Sequence, residues 1–104
     1  MMDFINDIFV DENIEDLNTI IYSLKRGIPV FNIYLVCIND GDENTAYIMS
    51  SNEYFSKWNK NRQYKTIGIA VGKHGANRLF SNIIEYWIEK GNYIGNFKEN
   101  IVKE

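Results

Sequence analysis

Ten consecutive residues, Val30 to Asn39, constrain most strongly what this chain can become. Phe31, Ile33, Leu35 and Cys37 alternate with Val30, Tyr34, Val36 and Ile38, so the extended segment is apolar on both sides. A strand of that kind needs cover on both faces and takes a central place in a sheet. The chain around it has 104 residues, enough for one domain spanning 1–104. Its 45% apolar and 14% aromatic content closes a core and excludes disorder. Ile33 to Ile38 is the longest unbroken apolar run and is six residues long, far short of the roughly 20 a membrane span requires.

The neighbours of that strand read as follows. Ile14, Leu17, Ile21 and Leu24 recur at helical spacing and predict a helix from Ile14 to Arg26. Asn13 is positioned to cap it, Glu15 and Asp16 suit its positive end, and Lys25 and Arg26 its negative end. Gly27 supplies a left-handed cap and Pro29 prevents resumption. Earlier, Phe4, Ile5, Ile8 and Phe9 fit a short amphipathic turn or helix. Asn39 to Asn44 is turn chemistry, and Thr45 to Ser50 returns as a second strand to make a hairpin. Ser51 or Asn52 caps a short helix to Trp58. Lys65 to Val71 forms a third strand, with Ile67, Ile69 and Val71 on one face and Thr66, Gly68 and Ala70 on the other. The small residues invite close approach of a helix. Leu79, Phe80, Ile83, Ile84, Trp87 and Ile88 give a broad apolar face to a helix from Ala76 to Lys90, ended by Gly91. Asn96 and Glu99 suit a final capped turn.

The order α-β-β-α-β-α predicts an α+β domain with a three-stranded, mostly antiparallel sheet and both main helices packed on one face. The other face, with Tyr34, Val36, Ile38, Tyr47 and Met49, then needs cover. Tyr54, Phe55 and Trp58 of the short helix supply it, or a second copy does in a homodimer.

Few residues suggest chemistry. Cys37 is the only cysteine and sits inside the apolar strand, which excludes an internal disulfide and reads as a small buried thiol in a reducing compartment. The start of the chain carries acids where a secretory signal needs a basic region, so the expected location is cytoplasmic. His74 is the only histidine; with one distant buried cysteine it makes no zinc set, and no nucleophile elbow accompanies it. Asp40 to Asn44 has the spacing of a calcium loop's opening but lacks the glycine and the glutamate that complete one. No metal, no cofactor and no enzymatic activity are expected.

Two regions remain as candidate binding sites. Gly72 to Arg78 joins a strand to a helix, and a helix start offers free N–H groups to an anion. Lys73, His74, Gly75, Asn77 and Arg78 are its candidate ligands, although neither a P-loop nor a dinucleotide fingerprint is present. The second region emerges when the net charge of −3 is divided by position. Residues 1–24 hold six acids and no base, and residues 54–84 hold six bases and no acid. Lys57, Trp58, Lys60, Arg62, Tyr64 and Lys65 interleave charge with rings, as single-stranded nucleic-acid surfaces do. The plainest account is that the acidic segment lies against the basic one and the rings are core. The alternatives are an acidic protein docked on the basic segment, or nucleic acid bound along residues 57–78. The expectation is therefore a small non-enzymatic binding or regulatory protein acting through a protein–protein surface. Nucleic-acid binding, and anion or nucleotide binding at 72–78, are the alternatives. No membrane association is expected.

Overall fold

A computed structural model describes residues 3–39, 46–56 and 64–89. The expected turn at 40–44, most of the basic loop and the expected turn at Asn96 lie outside them. Seven elements follow in order: β1 (Asp3–Val10), α1 (Leu17–Lys25), β2 (Ile33–Asn39), β3 (Ala46–Ser50), α2 (Ser51–Tyr54), β4 (Tyr64–Val71) and α3 (Gly72–Glu89). The class is α+β, as expected. The sheet differs in that, among the described residues, it has four strands in the order β1-β4-β2-β3 and is mixed, because β1 runs parallel to β4 while β2 is antiparallel to both its neighbours.

β1 stands where the sequence predicts a short amphipathic turn or helix. Phe4 and Ile8 pack into one apolar cluster and Ile5 and Phe9 into the other, so this edge strand is covered on both sides. Its pairing is irregular: Phe4 opposes Thr66 and Phe9 opposes Gly68, leaving extra residues on β1.

The two main helices lie on opposite faces, which corrects the expectation that they share one. α1 delivers Leu17, Ile20, Ile21 and Leu24 against Ile33, Leu35 and Cys37. α3 delivers Ala76, Leu79 and Ile83 against Val36, Ile38 and Ile67. Both faces of β2 are thereby covered, and the need for a second copy to bury one of them disappears. Tyr47 and Met49 belong to the α1 face, opposite Cys37 and Leu35, and Tyr54 and Phe55 pack there too.

A bulge explains why the faces of β4 were misread. Val36 opposes Gly68 and Cys37 opposes Thr66, so Ile67 is an extra residue. The insertion turns Ile67 toward α3 and leaves Ile69 toward α1. Gly68 lies under α3, where a Cβ would fall 3.0 Å from Leu79 Cδ2.

Helix ends follow local chemistry. Asp16, rather than Asn13, caps α1: its carboxylate accepts from Thr19 N at 3.2 Å and from Thr19 Oγ1 at 2.8 Å. Those bonds hold its pKa below the usual aspartate value. At the other end Gly27 N–H donates to Leu24 O and Ile28 N–H to Ser23 O, with Gly27 at φ +77°, a Schellman closure. Ser50 and Glu53 form a capping box on α2. Among the described residues no helix is long and apolar enough to cross a membrane.

Candidate functional site

The parallel pairing of β1 and β4 brings Val10 opposite Ile69, and the antiparallel pairing of β2 brings Ile33 opposite Val71. One end of the sheet therefore gathers the end of β1, the start of β2 and the first turn of α3. Two unusual side chains meet there.

The first is Asp11, a carboxylate only 5% exposed. Its backbone N–H extends the β1–β4 ladder by donating to Ile69 O at 3.0 Å. Its side chain accepts from Val71 N at 3.2 Å, from Asn13 N at 3.5 Å and from the Arg78 guanidinium at 3.4 Å. Buried charge persists only when paired and hydrogen-bonded, and these three donors meet that need. Gly75 makes the approach possible, since a Cβ there would lie 2.8 Å from Asp11 Oδ2. Beside this cluster lies a pocket of about 270 Å³ lined by Val10, Asp11, Glu12, Arg78, Leu79 and Asn82.

The second is Phe31. It was expected on a buried face of β2, but the strand begins at Ile33 and Phe31 is 92% exposed at the tip of a turn. The turn closes with Ile33 N–H donating to Val30 O at 3.2 Å, and Asn32 adopts φ +59°, which its short polar side chain tolerates. Its backbone is fastened on both sides. Ser51 Oγ, fully enclosed, accepts from Val30 N at 2.9 Å and donates to Val30 O at 2.8 Å. Asn32 O accepts from Gly72 N at 2.8 Å. Ile28 is half exposed, Pro29 is exposed, and Tyr22 is exposed with its ring 5.2 Å from the Arg26 guanidinium. Tyr22, Ile28, Pro29 and Phe31 are thus exposed apolar side chains within residues 22–31, with the exposed Lys25 and Arg26 among them.

The sequence-derived candidates distribute as follows. Of Lys73, His74, Gly75, Asn77 and Arg78, the structure brings Gly75 and Arg78 to Asp11, while Lys73, His74 and Asn77 are exposed. The helix begins at Gly72, directly after the strand, without an intervening loop. Val71 N–H and Gly72 N–H already have acceptors within the chain, and the negative charge beside this helix start is Asp11. Lys57, Trp58, Lys60 and Arg62 lie outside the described residues. Tyr64 is buried on the α1 face, its ring 5.6 Å from that of Tyr47 and 6.1 Å from that of Tyr54, and Lys65 is half-buried. The acidic and basic segments do meet, through β1 beside β4 and through the Asp11–Arg78 ion pair. Cys37 is enclosed with its Sγ 3.7 Å from Thr66 Oγ1, and burial pushes its thiol pKa up to about 12. Among the described residues no group of three or more His, Cys, Asp or Glu side chains is placed to hold a metal.

Comparison with known proteins adds no identity: no family model, no curated protein and no solved structure matches this chain.

Proposed function

We propose that this is a small non-enzymatic binding protein that acts through a protein–protein contact centred on the turn 28–32. One observation carries the reading: a 92% exposed phenylalanine stands on a backbone held by Ser51, Gly72 and its own turn hydrogen bond. A ring that exposed buries little apolar area within the described fold, whereas burial in a partner contributes roughly 1.5–3 kcal/mol. Aromatic anchors with little left to order on binding are the residues that dominate protein interfaces. Ile28 and Pro29, and Tyr22 on α1, add exposed apolar surface near the anchor in sequence.

Photo-cross-linking tests this. With p-benzoylphenylalanine in place of Phe31, irradiation of the purified chain and of a native cell extract is expected to give a discrete cross-linked protein. The same residue placed at exposed Asn18, on α1, serves as the control. Absence of any product specific to position 31 removes the reading.

A further inference from the structure

We infer that the occupant of this docking surface is a second copy of the chain, whose pocket beside Asp11 receives the Phe31 ring. The inference rests on the protein-docking reading above and deepens it by naming the partner.

Size is the first argument. The pocket of about 270 Å³ has room for one benzyl group, and Val10 and Leu79 are the apolar part of a lining that is otherwise polar. Val10 is 37% exposed, so part of that wall still faces solvent. Arg78 stands half exposed at the rim, where a guanidinium can lie over an aromatic face. The ring does not fill its own pocket, since it is almost wholly exposed.

Charge is the second. Residues 17–39 contain Lys25 and Arg26 and no acid, and exposed Lys73 follows Gly72, whose amide holds the turn. The pocket is flanked instead by the acidic segment: Glu12 lines it, and exposed Glu15 and Asp16 follow within one loop. Arg78 in the lining is paired with Asp11, so the remaining charges around the hole are acidic while the knob has basic neighbours, and these attract between copies. Both lie at one end of the sheet, so a second copy approaching that end meets both.

Sedimentation velocity over about 1 µM to 1 mM, a range covering weak to moderate affinities, reads the outcome. The expected mass rises above the 12.2 kDa of one chain with concentration, and added salt weakens the association. Phe31→Ala is expected to raise the self-association Kd at least about tenfold, with an unchanged circular dichroism spectrum. Arg26→Glu and Glu12→Lys are each expected to weaken association, and the two together to restore it. A mass of 12.2 kDa throughout, or association that Phe31→Ala leaves unchanged, overturns the inference. Failure of the double exchange to restore association overturns it as well. The position-31 cross-link separates the two levels. A product at twice the chain mass supports self-association. A product with a different protein overturns it and leaves the docking reading standing; no product overturns both.

Discussion

Asp11 and Phe31 sit at the same end of the sheet and depart from the usual rule in opposite directions, one a charge taken inside and the other an aromatic ring left outside. Each is held at the junction of β4 and α3, Asp11 by Val71 N–H and the Phe31 turn by Gly72 N–H. Yet the burial of Asp11 is explained within the fold. It joins β1, β4 and α3 by accepting from three partners. Among the described residues every buried side-chain nitrogen or oxygen has a hydrogen-bond partner. Phe31, 92% exposed, is in neither apolar cluster of the described residues. The difference sets an exception that the fold explains beside one that the proposed docking explains, and it can be broken by substitution.

The largest effect is expected at Asp11. Asp11→Ala leaves the Val71 amide without its acceptor and is expected to destabilise by about 3 kcal/mol in urea unfolding. Gly75→Ala should cost about 2 kcal/mol by the same measurement, because its Cβ must displace the carboxylate it would meet at 2.8 Å. Ser51→Ala removes both bonds to Val30 and is expected to cost about 1–2 kcal/mol. It should also weaken cross-linking from position 31, since a loosened turn must be ordered on binding. Asp16 gives the exposed counterpart of Asp11. Its pKa is lowered by the Thr19 hydroxyl and amide, so its contribution is present at neutral pH and lost as pH falls through the folded-state value. Circular dichroism of Asp16→Ala should therefore differ from wild type at pH 7 and converge with it in acid. The smallest effect on stability belongs to Phe31→Ala, expected within about 0.5 kcal/mol of wild type in urea, while binding falls most. A large loss of stability there would make Phe31 structural and erase the comparison.

Much of the scaffold was legible because helices announce themselves locally. The α1 stripe of Leu17, Ile21 and Leu24, its glycine cap and the α3 face all repeat at helical spacing and pack as that spacing implies. β1 was illegible for a numerical reason. Phe4/Ile8 and Ile5/Phe9 are four apart, close to one helical turn but also two full strand repeats. Only the partner β4, sixty residues away in sequence, decides between them. The bulge at Ile67 is likewise absent from any alternation, since it is a property of a pair of strands. Phe31 was misread because apolar alternation ran through it. The contrary signal was present in Pro29 and Asn32, which bracket it and favour a turn. Asp11 gave no sequence signal of burial beyond lying next to the apolar Phe9–Val10 pair.

The parallel pairing of β1 with β4 has a consequence for biosynthesis. Val10 and its partner Ile69 are 59 residues apart, so the ribosome must add more than half of the 104-residue chain between them. At about 5–20 residues per second that interval is roughly 3–12 s. During it β1 is a strand with no ladder to join, the kind of segment that pairs with the wrong neighbour. Asp7, exposed in the finished fold, stands between the Phe4–Ile5 and Ile8–Phe9 pairs and interrupts the run. A charge in that place is what breaks up a segment prone to mispairing.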